Sequence, residues 1–292
     1  MIRRDREIVR AAIYVLPSFL LLFVFTILPI GMNIFYSLTK YNVIQKPLFV
    51  GLSNFITIFT KDINFRVSLK NTVLFTIITV PLNTFLPLIM AAILAEWFQN
   101  RFGGFVRGTL FIPHLASSVL VGTLWIIFLT SRGPVNMLLG LFGIKPIAFL
   151  GKTETALFTV SMVYVWKGIG YYLVICYAGI MDIPRSLYEA ARVDGAGTIQ
   201  RFFYITLPSM ASIIYLLITL GIIWSFQVFD LIFIMTGGGP GFSSQTLVYT
   251  IYMNGFKQYN MGYASAQALV LLVIVLVISI IQRRLQRDGG EG

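Results

Sequence analysis

The chain has 292 residues and a net charge of +11 at pH 7, with 57% hydrophobic but only 11% charged residues. Soluble domains contain about 25% charged residues, so this composition excludes a soluble globular protein and predicts a chain that crosses a membrane several times. The basic residues lie in short clusters beside apolar runs, which excludes an extended surface for nucleic acid. The single cysteine, Cys176, excludes both a disulfide framework within the chain and a cysteine-based metal site.

The amino-terminal segment places four arginines, Arg3, Arg4, Arg6 and Arg10, ahead of the first apolar run. This run covers 11–38. The apolar region of a secretory signal peptide has only about 7–15 residues and is followed by a small-residue cleavage site. We therefore interpret the run as a first membrane span that is retained.

Six apolar segments are long enough to cross a bilayer as helices, which takes about 20 residues each. None shows the period-two alternation of a membrane β-barrel, so we expect helices throughout. The predicted fold class is an all-α integral membrane protein with one transmembrane domain over 1–292. The predicted spans cover 11–38, 68–96, 105–130, 154–181, 207–235 and 263–282.

Six spans would place both termini on one side of the membrane, together with the loops near 97–104 and 182–206. This side carries slightly more basic residues than the opposite side, and these residues lie in shorter loops. Basic residues in short loops favour a cytoplasmic position. Charge alone thus gives a weak indication that both termini are cytoplasmic.

The loop 184–206, between the fourth and fifth predicted spans, contains the most specific pattern in the chain. Ser186 and Glu189 have the Ser-x-x-Glu spacing of a capping box, in which the two side chains bind the free backbone N–H groups of a helix start. We therefore expect a helix to begin at this serine.

The same helix has a predicted end. Ala190 and Ala191 favour helix formation, and Gly195 favours termination because glycine readily adopts the left-handed conformation found after many helices. A helix over 187–194 has about two turns, which is too short to be stable alone in water. We expect it to dock against a partner.

The spacing of this loop resembles the Glu-Ala-Ala signature of the permease subunits of ATP-binding-cassette (ABC) importers. In that family the loop forms a cytoplasmic coupling helix that sits in a cleft of a separate ATPase subunit. An ordinary capped surface helix between two spans is the alternative. The positions that match the signature are Glu189, Ala190, Ala191, Gly195, Ile205, Leu207 and Pro208.

A second region extends the resemblance. The run Thr236-Gly237-Gly238-Gly239-Pro240 precedes 246–252 and 262–266 in an order similar to that of the carbohydrate branch, the maltose- and glycerol-phosphate-type permeases. The similarity runs from the first span to the final arginines and implies the six-helix type I ABC importer permease fold.

Motifs for ATP hydrolysis and other catalysis are not found in the sequence. The end of a phosphate-binding loop is resembled by Gly151, Lys152 and Thr153. However, the position of the first glycine in that motif is occupied by Pro146. His114 is the only histidine, so a catalytic triad would need a second base and a two-histidine metal site cannot form. We expect a chain that is not an enzyme and binds no cofactor itself.

Two predicted spans carry aromatic and small residues on one helical face, a combination that suits the apolar and polar edges of sugar rings. By resemblance to maltose-type permeases these faces line the central cavity. The alternative is that these aromatics are only helix packing or an interfacial belt. The residues are Tyr164, Gly168 and Tyr171 on the fourth span, and Gly221, Trp224, Ser225 and Val228 on the fifth. Tyr164 and Val228 depart from the maltose-type pattern, which implies a different substrate.

Lys167 is the clearest polar residue inside a predicted span. Ionisable groups within a membrane usually face a bundle interior or a water-filled cavity, so this lysine is a candidate for the substrate path. The Trp-Lys-Gly run around it resembles a pattern shared by relatives with different substrates, which favours a structural role.

The resemblance implies a permease subunit of a bacterial sugar importer in the cytoplasmic membrane. It works with a second permease, two ATPases that bind ATP-Mg, an external sugar-binding protein and membrane lipid. An ion-driven secondary transporter is the alternative, but that class shows internal repeats and buried acidic residues. Here Glu96, Glu154 and Asp230 lie near predicted span ends.

Overall fold

The computed structural model describes the backbone of residues 14–289 and the side chains of residues 14–284. Almost all regular structure in that part of the chain is helical. The amino-terminal arginines and the first three residues of the predicted first span lie outside the described residues.

The first span is a helix, α1, over Tyr14–Ser37, with a π-helical turn at Phe23–Ile27. A small antiparallel pair follows, β1 (Thr39–Lys40) and β2 (Leu48–Phe49). The short helix α2 (Ser53–Thr60) then leads to the second span. The first predicted span is thus found close to its expected bounds.

The second span, α3 (Ile63–Trp97), has 35 residues and continues through Pro81 and Pro87. At 1.5 Å per residue it is about 52 Å long, more than the roughly 30 Å hydrocarbon core of a bilayer. Several buried hydroxyls on α3 donate to the carbonyl oxygen four residues earlier, as Thr72 does to Ser68 at 2.8 Å. These bonds give each hydroxyl proton an acceptor within its own helix.

The third predicted span is not one continuous helix. It consists of α4 (Arg101–Leu115) and α5 (Ser118–Phe128), which meet at an angle of 99°. Ala116 and Ser117 have extended backbones with ψ of 144° and 145°, and the hydroxyl of Ser117 accepts an N–H bond that starts α5. The expectation of a single helix over 105–130 is wrong because the new helix has its own serine cap, which an average of hydropathy does not detect.

Two further helices complete the middle of the chain. The short helix α6 covers Pro134–Leu141, and α7 covers Ala156–Met181, close to the predicted fourth span. At Gly170 of α7 an added Cβ would lie 2.1 Å from the carbonyl oxygen of Leu110 in α4. The absence of a side chain at this glycine therefore allows the two helices to approach closely.

After α7 comes α8 (Arg185–Val193), and then a second bent pair. The helices α9 (Thr198–Ser209) and α10 (Ala211–Phe226) meet at 68°. A separate short helix, α11 (Asp230–Met235), follows. A single continuous helix over 207–235 is not found, since the helix is broken at Met210 and α10 ends at Phe226.

The described chain ends with α12 (Leu247–Tyr252), a π-helical turn at Met253–Lys257 and the long helix α13 (Met261–Gly289). Four described helices, α1, α3, α7 and α13, are each long and apolar enough to cross a membrane. If each bent pair is one span, the number rises to six, the number that the sequence predicts.

The residues separate into two compact units. Of the described residues, one unit contains 14–62 together with Ile251–Leu272, and the other contains Ile63–Thr250 and 273–289. Within the first unit, the hydroxyl of Tyr263 donates to Asp62 at 2.6 Å. Within the second, α3 packs along α7, while α10 packs on α3 and α4 packs on α7. This second unit contains all the predicted site residues.

Candidate functional site

The predicted coupling helix exists, but it begins earlier than the capping box implies. The N-cap of α8 is Pro184, with an extended ψ of 126° and no side-chain cap. Ser186 therefore lies inside the first helical turn, where its hydroxyl is not placed to cap the helix start. The prediction of a capping box between Ser186 and Glu189 is wrong.

The predicted end of α8 is confirmed. Gly195 has a φ of +79°, in the left-handed region. Its N–H donates to the carbonyl of Arg192 at 3.1 Å, and the N–H of Ala196 donates to the carbonyl of Ala191 at 2.8 Å. This pair of bonds is a Schellman motif, which satisfies carbonyl groups left free at a helix end and reverses the chain direction.

The second half of the signature holds the loop on the bundle. Ile205 and Leu207 are partly buried against a core cluster that includes Leu173 and Met210. The hydroxyls of Tyr188 on α8 and Thr206 on α9 lie 2.9 Å apart and form a hydrogen bond. In contrast, Pro208 is exposed in the first turn after a π-helical turn. The signature thus contributes anchoring side chains as well as the helix.

The loop around α8 exposes several large apolar side chains. Val193 is 88% exposed, and four others in the same loop are also exposed. Exposed apolar patches of this kind mark interaction surfaces. The members of this patch are Leu187, Val193, Ile199, Phe203 and Tyr204.

Beside α8 lies a polar cleft of about 460 Å³. Glu189 is exposed at its wall, together with Arg185 and Arg192 of α8 and Glu96 of α3. Ala190 is exposed and Ala191 is partly buried, so the first presents a small side chain to a partner. Helix α8 thus contributes residues both to the apolar patch and to the wall of this cleft.

Glu96 is the functional candidate that the sequence reasoning missed. Its Oε1 accepts hydrogen bonds from Arg192 at 3.2 Å and from Arg201 at 3.0 Å, so one carboxylate joins the end of α3 to both sides of the turn after α8. A signal was present, because Glu96 is the only acidic residue between Asp62 and Glu154 and it follows an apolar run.

Two of the predicted substrate-path residues meet in an aromatic cluster. The ring of Tyr171 on α7 contacts Trp224 on α10 edge-to-face, with centroids 5.4 Å apart. His114 of α4 stacks on the other side of this cluster, 4.8 Å from the Tyr171 ring. The sequence offered His114 only as a lone histidine on an apolar span, so its place beside Tyr171 was not foreseen.

Four other path candidates pack against α3. The Oγ atoms of Ser225 and Thr79 lie 3.0 Å apart, and Tyr164 contacts Phe75 edge-to-face with centroids 5.1 Å apart. An added Cβ at Gly168 would lie 2.8 Å from Asn83 Oδ1 of α3, which is too close. At Gly221 an added Cβ would lie 3.1 Å from the hydroxyl of Tyr172 on α7 and in ordinary contact, at 3.4 Å, with Val80 of α3.

The remaining two candidates also have defined neighbours. Val228 is buried, and its carbonyl oxygen accepts from the hydroxyl of Thr246 at 3.1 Å. Lys167 Nζ donates to Ser118 Oγ at 2.8 Å, which ties α7 to the capped start of α5. Tyr171 and Trp224 thus contact each other, and the other six candidates lie at separate contacts. The role of all eight in a substrate path stays a prediction.

Comparisons with known proteins agree with one another. Residues 83–288 match the family described as "Binding-protein-dependent transport system inner membrane component". The chain is 34% identical over 283 residues to "Probable ABC transporter permease protein YurN" of Bacillus subtilis, covering 96% of each chain. It is 33% identical over 277 residues to "Trehalose/maltose transport system permease protein MalF" of Thermococcus litoralis, covering 94% of this chain and 92% of the relative.

A crystal structure of "a bacterial ABC transporter involved in the import of the acidic polysaccharide alginate" has a similar fold. The TM-score is 0.85 at 25% identity, with 97% of this chain and 96% of that chain covered. Both the sequence relatives and the fold therefore extend over nearly the whole chain, including α8 and its anchors. The chain belongs to the family of inner membrane components of binding-protein-dependent transport systems.

Proposed function

We propose that this chain is a permease subunit of an ATP-driven importer that receives a sugar or sugar derivative from an external binding protein. Its family supports the transport role and the dependence on a binding protein. The relative named for trehalose and maltose and the transporter that imports alginate support a saccharide substrate. In this proposal the chain catalyses no reaction, and ATP-Mg binds to two separate ATPase subunits.

The observation that carries the proposal is the folded loop around α8. It presents a short helix and an exposed apolar patch, while Tyr188, Ile205 and Leu207 fix it to the bundle. A surface that is apolar outside and anchored inside suits docking into a cleft of an ATPase. Because ATP is cytoplasmic, we place α8 and both chain termini on the cytoplasmic side of the membrane.

A second permease subunit completes the pathway in this proposal, and each subunit lines half of it. The aromatic cluster of Tyr171, Trp224 and His114 is the best candidate for sugar contact, since flat rings pack against the C–H faces of sugars. Four other path candidates, Tyr164, Gly168, Gly221 and Ser225, act by setting the spacing of α7 and α10 against α3. The last two act through other contacts, Lys167 with Ser118 of α5 and Val228 with Thr246.

The test is Gly195→Val in the complete transporter, reconstituted with its second permease and both ATPases. No neighbouring atom would lie within 4 Å of an added Cβ, so the penalty comes from the backbone. Forcing a side chain into the left-handed region costs about 1–2 kcal/mol per residue, which tilts or frays the end of α8. We expect ATP-driven uptake of radiolabelled maltose, trehalose or alginate oligosaccharide to be lost, whichever of them the wild type transports.

Gly143→Val is the matched control. Gly143 follows α6, has a φ of +75° and also has open space around its Cβ position, so the substitution carries the same local penalty away from α8. We expect this variant to assemble and transport normally. Wild-type uptake by an assembled Gly195→Val complex would contradict the coupling role.

A further inference from the structure

The ion pairs of Glu96 connect the loop around α8 to a helix that is distant in sequence. Covalently, α8 is joined only to α7 and α9. Glu96 lies in the last turn of α3, and its Oε1 binds Arg192 at the end of α8 and Arg201 in α9. A displacement of α8 can therefore reach α3 directly through this carboxylate.

The two arginines differ in how strongly they hold Glu96. The side chain of Arg201 is 9% exposed and that of Arg192 is 57% exposed. An exposed ion pair contributes little, whereas removing one partner of a buried pair leaves a charge without compensation. Arg201 is therefore the firm partner and Arg192 the weaker one.

Arg201 also depends on Glu96 for its charge balance. Its only other side-chain partner among the described residues is Thr198, at 3.1 Å. Its Nε and Nη1 atoms are buried, with no hydrogen-bond partner in the part of the chain that the structure describes. Because a buried guanidinium needs a counter-charge, the position of Arg201 is determined by Glu96.

Helix α3 is the element best placed to distribute such a displacement. It packs along α7 and against α10, which carry Tyr171 and Trp224. Leu94 and Ala95, next to Glu96, belong to the buried cluster that also contains Met210 at the bend between α9 and α10. A pull on Glu96 therefore acts on a closely packed part of the bundle.

We propose that Glu96 is a positioning residue for energy coupling: through Arg201 it clamps the loop around α8 to α3, so that ATP-driven movement of α8 moves α3. This inference rests on the proposed function, because it needs an ATPase that moves α8. The Glu96 clamp would transmit movement of α8 in addition to the covalent connections of α8 and the Tyr188–Thr206 hydrogen bond.

The experiment follows the far end of α3 in the complete transporter. A cysteine replaces the exposed Ile63 in a Cys176→Ala background and is labelled with the environment-sensitive fluorophore bimane. The probe for closure is MgATP with vanadate, which traps closed ATPases without any transported substrate. We expect a change in emission for wild-type Glu96, and a change about tenfold smaller for Glu96→Gln, within the usual range of coupling between sites.

The readout separates coupling from a purely structural role. In Glu96→Gln, MgATP hydrolysis per purified complex should stay near the wild-type rate while the emission change is lost. Exchanging the charges, with Glu96→Arg and Arg201→Glu together, should restore most of the emission change, because contacting residues give non-additive effects. Glu154→Gln removes a carboxylate that is fully exposed and should change neither measurement.

Two results would overturn the inference. One is a full emission change in Glu96→Gln. The other is an emission change that falls only in proportion to a reduced rate of MgATP hydrolysis, which indicates poor assembly. Gly195→Val in the same labelled background shows whether the coupling role of α8 or only the role of Glu96 has failed. If that variant behaves as wild type, the coupling role of α8 is wrong. If it is defective while Glu96→Gln is not, only the role of Glu96 is wrong.

Discussion

At the scale of single residues, Glu189 is exposed on α8 beside the polar cleft. Helix α8 begins at Arg185 without a side-chain cap, so the carboxylate of Glu189 is not needed to start it. Its charge is therefore available to a basic residue of an ATPase, if α8 docks as proposed above.

The corresponding prediction concerns Glu189→Gln, which keeps the size of the side chain and removes its charge. We expect ATP-driven transport to fall about tenfold, since a hydrogen bond to a charged group contributes about 1.5 kcal/mol. The measurement is transport and ATP hydrolysis by the reconstituted complex, with Glu154→Gln as the control. An unchanged rate would mean that the charge of Glu189 makes no contact with the ATPase.

Residues differ in how far the sequence predicts their roles, and the reason is distance along the chain. Gly195 could be assigned because a left-handed helix end is a local property of glycine. Glu96 and Arg201 are 105 positions apart, and no local rule brings them together. The failure at Ser186 is also local, because the helix starts directly after Pro184, whose ψ of 126° makes it the N-cap two residues before the serine.

At the scale of elements, α7 and α10 meet through Tyr171 and Trp224, and His114 of α4 stacks on Tyr171. Three different spans thus contribute rings to a cluster inside the second unit. Spacing along α7 and α10 predicted the first two rings, but the contribution of α4 depends on how the bent third span returns to the bundle. Hydropathy gives the length of that span and not its bend.

The prediction at this scale compares Tyr171→Ala with Tyr171→Phe. The alanine variant loses the ring contacts and should lower sugar uptake about tenfold, since an aromatic pair contributes about 0.5–1.5 kcal/mol beyond its buried area. The phenylalanine variant keeps the ring and isolates the hydroxyl. Both should retain normal assembly and MgATP hydrolysis without substrate. Normal uptake by Tyr171→Ala would remove this cluster from the sugar path.

At the scale of the whole molecule, the proposed function divides the work: this chain supplies a membrane bundle and a docking loop, and a separate protein supplies hydrolysis. The nearest approach to a nucleotide motif is Gly151-Lys152-Thr153 in the loop before α7, where no strand precedes it. A phosphate-binding loop needs glycines that expose several N–H groups to the phosphates, and Pro146 has no N–H to offer.

We therefore expect the purified chain to show no saturable binding of MgATP by calorimetry, and the complex with its ATPases to bind it. The complex is the positive control for the same preparation. Saturable binding to the isolated chain, confirmed free of ATPase subunits by mass spectrometry, would contradict the proposed division of labour.

The close approach of α7 to α4 has a consequence for exchange of segments between related permeases. At Gly170 even a methyl group would overlap the backbone of Leu110, so the two helices match through main-chain shape and not through adjustable side chains. A hybrid that takes α7 from a homologue and keeps α4 inherits only half of this fit. Natural recombination and laboratory chimeras should therefore succeed when their crossover points keep both helices from one parent.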